Sequence, residues 1–236
     1  MSEWQKMIPD FERRKAKYEP VAAELRAIFG SPAWRPFSET ATDELIDCIL
    51  SQSTNDANRD RAFAGLKAAF PSWEAVMNAP TEQVAAAIKP AGLANQKAPR
   101  IQKVLRTIYA ERGTLEIDFL REMPLEEARA WLMELDGVGP KTAAIVLCFA
   151  FNLPAFPVDT HIHRVGQRIG FLPAGISAEK AHPLMEAIIP PEDYFAFHLN
   201  LIRLGREICA ARRPACERCP LQAHCDYYQG VVRRAE

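Results

Sequence analysis

Two glycines and a lysine stand close together in Gly137-Val138-Gly139-Pro140-Lys141, between two segments of helical periodicity. Glycines separated by one residue permit a tight turn, with positive φ or close approach of another molecule to the backbone. The first amides of the following helix are free and lie at its positive end, so they can hold a phosphate oxygen. The spacing is typical of a helical hairpin that contacts a nucleic-acid backbone, although many such hairpins are plain turns.

Lys141 is predicted as the second residue of the helix after this turn. The positive helix end disfavours an ammonium there and makes the free amine, which nucleophilic catalysis needs, more available. Eighteen residues later, Asp159 stands where it can cap the next helix, and a fixed carboxylate stabilises positive charge that develops on a sugar. A simple phosphate contact for Lys141 and a simple N-cap for Asp159 are the alternatives from pattern alone.

Four of the six cysteines lie within one short segment. Their spacing is Cys209-x6-Cys216-x2-Cys219-x5-Cys225. Zinc and a [4Fe–4S] cluster both accept four cysteines, and from spacing alone a zinc knuckle is the first expectation. Arg212 and Arg213 lie in the same loop and are predicted to contact phosphates, unless the loop is only a structural staple.

The elements that must position these residues are helices, because the periodicity is helical almost throughout and strict alternation is scarce. About ten short helices are predicted, with Thr42 capping one of them and one helix running from Lys141 to about Phe151. Short helices are not stable alone and must pack together, so the fold class is all-α. Cys48 and Cys148 are predicted to be buried small hydrophobic residues.

The charge balance, 29 Lys and Arg against 30 Asp and Glu, gives a net charge of −1. Nucleic-acid binders usually carry a basic excess, but net charge does not report distribution. Residues 97–112 hold five basic side chains and one acidic one, whereas residues 114–136 are strongly acidic. No apolar run approaches a membrane span, and Met1–Lys6 does not read as a signal peptide, so a cytoplasmic protein is expected.

Taken together, these motifs resemble the endonuclease III family of DNA repair enzymes, within the helix-hairpin-helix glycosylase superfamily. The resemblance spans roughly residues 42–225 in the family's order. It is carried by Leu135-Asp136-Gly137-Val138-Gly139-Pro140-Lys141-Thr142-Ala143, by Val158-Asp159-Thr160-His161 with Arg164-Val165, by Gly205-Arg206, and by the four-cysteine loop.

The resemblance implies a two-lobed helical fold with a DNA groove between the lobes. One lobe is a helical barrel, residues 42–153, with the helix-hairpin-helix at about 125–151. The other combines residues 1–41 with 154–236 and carries a [4Fe–4S] cluster on the cysteine loop 209–225, with zinc as the less favoured alternative. A monomer that acts on duplex DNA, associated with the nucleoid, is implied.

The implied activity is excision of oxidised or reduced pyrimidines, followed by nicking of the abasic site. The damaged nucleotide is flipped out of the duplex, and Asp159 assists departure of the base. The Lys141 amine attacks C1′ to form a Schiff base, and β-elimination cuts the strand. Leu93 matches an intercalating leucine, which replaces lost stacking, and Gly137, Val138, Gly139 and Gln52 are implied DNA contacts.

This chain departs from the family pattern at Gln52. The usual Leu-Ser-Ala-Gln-Ala-Thr-Asp reads here as Leu50-Ser51-Gln52-Ser53-Thr54-Asn55-Asp56, with the glutamine one place early. Two alternative functions stay open on this basis. One is a relative specialised for mismatches or abasic sites, and the other is a non-catalytic, cluster-bearing DNA-binding or redox protein.

Overall fold

The structure is a computed structural model that describes Ile8 and residues 10–232, with side chains as far as Gly230. The stretch Met1–Lys6, where the sequence argues against a leader, lies outside the described residues. Over the described part of the chain the fold is all-α, without a strand, as the sequence predicts. No helix in that part is long and apolar enough to cross a membrane.

The α-helices are numbered in chain order. They are α1 (Phe11–Ala16), α2 (Tyr18–Phe29), α3 (Ala41–Ser51), α4 (Asp56–Ala69), α5 (Trp73–Asn78), α6 (Thr81–Ala87), α7 (Ala94–Arg112), α8 (Leu125–Glu134), α9 (Pro140–Ile145), α10 (Thr160–Ile169), α11 (Ala178–Ile188) and α12 (Tyr194–Glu207). Short 3₁₀ turns connect several of them, including Cys216–Arg218 and Gln222–His224 in the cysteine segment.

The chain divides into two compact units. One is the contiguous segment Pro36–Leu153, and the other combines the chain up to Arg35 with the chain from Pro154 onward. The contiguous unit packs α3 to α9 around aliphatic side chains such as Leu45, Ile49 and Leu105, each 0% exposed. The core of the second unit is aromatic: the ring centroids of Phe197 and Tyr18 lie 5.2 Å apart.

Helix α3 begins at Ala41, two residues earlier than a Thr42 cap requires, so that prediction is wrong. Thr40 is the N-cap: its hydroxyl accepts from the Asp43 amide (3.0 Å), and the Asp43 carboxylate accepts from the Thr40 amide (3.1 Å). This reciprocal capping box satisfies two free amides at once. Thr42 is buried instead and donates its hydroxyl to the Leu115 carbonyl (2.5 Å).

The helix predicted from Lys141 to about Phe151 changes its winding partway. It is α-helical as far as Ile145 and continues as a π-helical turn over Val146–Ala150. At its end the Leu153 amide donates to the Leu147 carbonyl, six residues back (2.9 Å), and Asn152 adopts a left-handed φ of 56°. The residues of this wider turn are almost all buried, including Cys148 at 1% exposed, as the sequence predicts for that cysteine.

Candidate active site and cysteine cavity

The hairpin between α8 and α9 contains two glycines that differ in backbone conformation and in surroundings. Gly137 adopts a left-handed φ of 74°, and a Cβ there would lie 2.5 Å from Cδ and Nε of Arg100. Gly139 is the N-cap of α9 with an extended φ of −104°, and a Cβ there would meet nothing within 4 Å. The fold therefore requires glycine at 137, whereas at 139 it leaves the backbone open to another molecule.

Val138, between the two glycines, fixes the hairpin. Its side chain is 6% exposed, and its amide donates to the Leu135 carbonyl (3.0 Å). A buried side chain flanked by accessible backbone holds the two glycine positions against the unit's core. Val138 can thus contact a ligand through its main chain only.

Gln52 connects the end of α3 to this hairpin. Its side-chain amide donates to the Gly137 carbonyl (3.0 Å), and its carbonyl accepts from Nη1 of Arg100 (3.2 Å). Arg100, on α7, therefore contacts both Gln52 and the glycine turn. Sequence reasoning missed Arg100, because its role depends on contacts between residues far apart in the chain.

Lys141 is exposed and is the second residue of α9, directly after Pro140. Among the described residues, none accepts a hydrogen bond or forms an ion pair with its ammonium. Its positive charge affects the pKa of the Cys48 thiol on α3. Burial and the carboxylates of Glu44 and Asp47 raise this pKa, whereas the charge of Lys141 lowers it. The lysine is thus presented outward beside the open backbone of Gly139.

Helix α3 carries two carboxyl groups with perturbed pKa values. Burial raises the pKa of Glu44, whose side chain is 5% exposed and accepts from the Ser38 hydroxyl (2.8 Å). Burial, together with the charges of Asp60 and Asp56, raises the pKa of Asp47 to about 6, although Arg59 lies 3.4 Å away and opposes the shift. The sequence gives no sign of either shift, because both depend on burial.

Leu93 lies on the loop before α7. It is 51% exposed and adopts a left-handed φ of 49°, and its carbonyl accepts from the amides of Gln96 and Lys97 (2.9 Å each). A large apolar side chain held outward on a strained residue is consistent with a wedge rather than with a core leucine. With half of its surface exposed, Leu93 is not a core residue of its unit.

Lys97, one of the five basic residues of segment 97–112, does not belong to a basic surface. Its side chain is buried, with the residue 2% exposed, and its ammonium donates to the carbonyls of Leu50 (2.7 Å) and Ala91 (2.9 Å). Burial, with a smaller effect of Arg100, lowers the pKa of this lysine. The charge count along this segment thus overstates its exposed positive charge.

Asp159 is the N-cap of α10, as the sequence predicts. Its Oδ1 accepts from the Ile162 amide (2.7 Å), and the residue is half-buried. The backbone just before it is buried, and the Pro157 carbonyl contacts Nδ1 of His198 (3.0 Å). The N-cap hydrogen bond to the Ile162 amide therefore holds the carboxylate in one orientation, and the buried backbone before Asp159 fixes the position of the residue.

The four cysteines line one cavity in the second unit. This small cavity is open to solvent and is also lined by Arg168 and Tyr227. Nη1 of Arg168 donates to the Cys209 sulfur (3.3 Å) and to the Ala210 carbonyl (2.7 Å). No group of three or more His, Cys, Asp or Glu side chains within the described ranges converges as the ligands of one metal ion do.

The chemistry of the donor set, four cysteine sulfurs lining one cavity, is that of a site with four thiolate ligands, which zinc and a [4Fe–4S] cluster both accept. A tetrahedral zinc ion requires four sulfurs about 2.3 Å from one point, whereas a [4Fe–4S] cluster takes one thiolate at each of its irons. A guanidinium beside a sulfur is the kind of hydrogen bond that tunes such a cluster. Arg212 and Arg213 are exposed on the same loop, and Arg213 has a left-handed φ of 52°.

The predicted site residues are thus distributed over both units. The hairpin, Lys141, Gln52 and Leu93 belong to the contiguous unit, where Gln52 meets the hairpin directly. Asp159, the cysteine cavity and its two exposed arginines belong to the other unit.

The comparisons with known proteins agree on one family. The model of the HhH-GPD superfamily base excision DNA repair proteins matches residues 46–191. A candidate DNA glycosylase of Arabidopsis thaliana is 38% identical over 172 residues, which are 73% of this chain and 58% of that protein. Endonuclease III of Thermotoga maritima is 33% identical over 185 residues, covering 78% of this chain and 82% of that protein.

A solved structure gives the same result. The structure of a non-covalent endonuclease III–DNA complex superposes with a TM-score of 0.80 at 30% sequence identity, covering 93% of this chain and 98% of that one. The fold, the order of the motifs and these similarities extend over most of the chain. This chain belongs to the HhH-GPD superfamily of base excision DNA repair proteins and, within it, to the endonuclease III family of DNA glycosylases.

Proposed function

We propose that this DNA glycosylase is bifunctional, removing oxidised pyrimidines from duplex DNA and then nicking the abasic site, with Lys141 as the nucleophile. The observation that carries the proposal is the exposed Lys141 amine at the start of α9, beside the open backbone of Gly139. Support comes from a solved relative, a trapped covalent endonuclease III–DNA intermediate, on which this chain superposes with a TM-score of 0.80.

The proposed reaction begins with attack of the Lys141 nitrogen on C1′ of the extruded nucleotide. The bond from C1′ to the base breaks, and the base leaves with the bonding electrons and gains a proton. The fixed carboxylate of Asp159 stabilises the positive charge on the sugar as this bond lengthens. The lysine nitrogen gives up a proton, the C1′–O4′ bond breaks and O4′ takes a proton, so the sugar ring opens to a Schiff base. This Schiff base loses a proton from C2′, and the C3′–O bond breaks by β-elimination with the 3′ phosphate as the leaving group.

The remaining proposed contacts hold and open the duplex. The backbone of Gly137, Val138 and Gly139 binds a phosphate, and Leu93 fills the space that the extruded nucleotide leaves. In the other unit, Arg212 and Arg213 contact further phosphates through their exposed guanidinium groups. For this assignment we take residues 42–153 as the barrel lobe and residues 1–41 with 154–236 as the cluster lobe.

We assign a [4Fe–4S] cluster to the four cysteines, with zinc as the alternative. Cys209, Cys216, Cys219 and Cys225 would hold it, and the fit rests on their shared cavity and on the Arg168 guanidinium beside Cys209. Such a cluster supplies structural rigidity and one-electron redox chemistry. Absorbance near 400 nm with bound iron and sulfide is expected, and a colourless protein with stoichiometric zinc would contradict the assignment.

Borohydride reduction in the presence of an abasic duplex tests the lyase. The wild-type protein is expected to be trapped covalently on DNA, and Lys141→Ala is expected to lose trapping because no other amine takes its place. Lys180→Ala, which removes an exposed lysine of α11, is the matched control and should be trapped like the wild type. A wild-type protein that never forms the covalent complex would refute the lyase.

One observation favours a second candidate, a relative specialised for mismatches or abasic sites. Gln52 stands one position earlier than the family's glutamine, and its side-chain amide is hydrogen-bonded to Gly137 and Arg100. The contact implied for it with DNA would therefore differ from the family pattern. A panel of duplexes with oxidised pyrimidines, mismatches and abasic sites separates the two candidates. Fastest excision at oxidised pyrimidines supports our proposal, and DNA binding with neither base excision nor nicking would indicate a non-catalytic protein.

A further inference from the structure

Lys97 is a buried cation whose hydrogen bonds go to two main-chain carbonyls. Its ammonium, on a residue 2% exposed, contacts the carbonyls of Leu50 and Ala91, and no carboxylate in the part of the chain that the structure describes pairs with it. Burying a charge without a counter-charge is unfavourable, and here the cost is offset by hydrogen bonds to carbonyls at the C-terminal ends of two helical segments. The ammonium therefore joins two segment ends, which a side chain without a donor cannot do.

The two carbonyls end the helical segments that lead into two loops used by the proposed function. Leu50 lies in the last turn of α3, two residues before Gln52, and Ala91 ends a 3₁₀ turn two residues before Leu93. The ammonium contacts both carbonyls, at 2.7 and 2.9 Å, so it sets the distance between the starts of the two loops. The wedge and the glutamine are thereby held in a fixed relation through one buried group.

The same helix also holds the third DNA-facing element. Arg100 follows Lys97 by one turn of α7, donates to Gln52 and lies against Gly137. The first two turns of α7 therefore contact the Gln52 loop, the Leu93 loop and the hairpin. All of these contacts lie within the contiguous unit Pro36–Leu153.

We propose that Lys97 is a positioning residue for nucleotide extrusion, which holds the Leu93 wedge at the correct distance from Gln52. The proposal rests on the proposed function, because it requires Leu93 to enter the duplex. Lys97 does not touch the DNA or the reacting atoms. It acts by keeping the loop rigid, so that the wedge does not move when it meets stacked bases.

Gln102 offers a matched control on the same helix. It is 0% exposed, and its side-chain amide donates to the carbonyls of Val76 (3.0 Å) and Ala79 (2.7 Å). Like Lys97, it joins α7 to two backbone carbonyls of another segment, but that segment carries none of the proposed DNA contacts. Gln102→Leu thus measures what the loss of such a connection does to the fold alone.

The test is a double-mutant cycle between Lys97→Met and Leu93→Ala. With each protein shown to be folded at the assay temperature, Lys97→Met is expected to slow excision from duplex DNA by tenfold or more, and Gln102→Leu by less than twofold. Leu93→Ala should also slow excision, and the double variant should be no slower than Leu93→Ala alone. Multiplied effects of the two substitutions, or an equal loss in Gln102→Leu, would overturn the proposal.

A second readout needs no catalysis. 2-Aminopurine placed opposite a stable abasic-site analogue reports unstacking when the wedge enters, so its fluorescence should rise on binding of the wild type and rise much less with Lys97→Met. An equal rise with both proteins overturns the positioning role. If Lys97→Met does not fold, Lys97→Arg, which keeps the charge but changes the reach, is carried through the same cycle. A wild-type protein that excises no base and is never trapped refutes the proposed function, and the fluorescence still tests Lys97.

Discussion

Alanine substitutions at the two hairpin glycines should separate the requirements of folding from those of DNA binding. At Gly137 the left-handed φ of 74° disfavours any Cβ, and Arg100 occupies the space that a Cβ needs. At Gly139 the backbone is extended, and the same added atom meets nothing within 4 Å. We therefore expect Gly137→Ala to destabilise the protein and Gly139→Ala to weaken DNA binding without destabilising it.

The expected magnitudes follow from these geometries. A left-handed conformation disfavours alanine by about 1–2 kcal/mol, and displacement of Arg100 removes its contact with Gln52, worth about 1 kcal/mol. Gly137→Ala should thus lower the free energy of unfolding by about 2–3 kcal/mol. For Gly139→Ala the change should stay within about 1 kcal/mol, because loss of the glycine cap and reduced unfolded-state entropy oppose each other.

For DNA binding, we expect a direct effect of the Gly139→Ala substitution. If a phosphate accepts hydrogen bonds from the backbone at Gly139, a methyl group at this position lengthens contacts worth about 1.5–3 kcal/mol, which is about a tenfold to hundredfold loss of affinity. Urea unfolding gives the stability, and fluorescence anisotropy with an abasic-analogue duplex gives the affinity. The reasoning is refuted if Gly139→Ala binds DNA like the wild type, or if it unfolds as easily as Gly137→Ala.

Three further predictions use the other site residues. Asparagine caps helices as well as aspartate does, so Asp159→Asn should melt within a few degrees of the wild type yet excise bases at least a hundredfold more slowly, and equal rates would rule out a role for the charge. The pKa of Asp47 is about 6 in the folded protein against an ordinary 3.8, so its ionisation opposes folding as pH rises between those values. Asp47→Asn should therefore raise the free energy of unfolding by about 1–3 kcal/mol at pH 7.5 and by nothing near pH 4, and a gain that persists at pH 4 would contradict this cause. Replacing both Arg212 and Arg213 with alanine should lower the slope of log K against log salt by about 2 for a duplex, and an unchanged slope would show that neither contacts a phosphate.

The fold class and most helix positions were predictable from the sequence because they depend on local signals. Asp159 caps α10 and Gly113 ends α7, each through hydrogen bonds to neighbours in the chain. The start of α3 was misplaced at Thr42 because two threonines compete there, and only Thr40 has an acidic partner three residues on. The π-helical turn after Ile145 could not be predicted from its residues. Almost all of them are buried, so their hydrophobic pattern does not distinguish a π-helix from an α-helix.

The site was predictable where it consists of motifs and unpredictable where it depends on distant contacts. Lys141 and the cysteines stand in motifs that can be found by spacing alone, although their roles stay proposals until tested. Arg100 and Lys97 look like ordinary members of a basic helix in the sequence. Their packing against Gln52 and against the carbonyls of Leu50 and Ala91 separates them in the structure, because contacts across the unit decide which cation is exposed.

The second unit is built from two chain segments that are separated by the whole contiguous unit, and this separation limits the order in which the chain can fold. Helices α1 and α2 are synthesised before α12, but the Tyr18 ring packs against Phe197, and the side chain of Asn200 donates to the Gly30 carbonyl (3.0 Å). Helices this short are unstable alone, so α1 and α2 cannot become stably folded until α12 has been synthesised and can pack against them. The contiguous unit Pro36–Leu153 has all of its partners earlier and can form in the meantime. Closure of the long loop between α2 and α12 is thus expected late, because loop closure over a long sequence separation is slow, and the cysteine loop follows α12 in the chain.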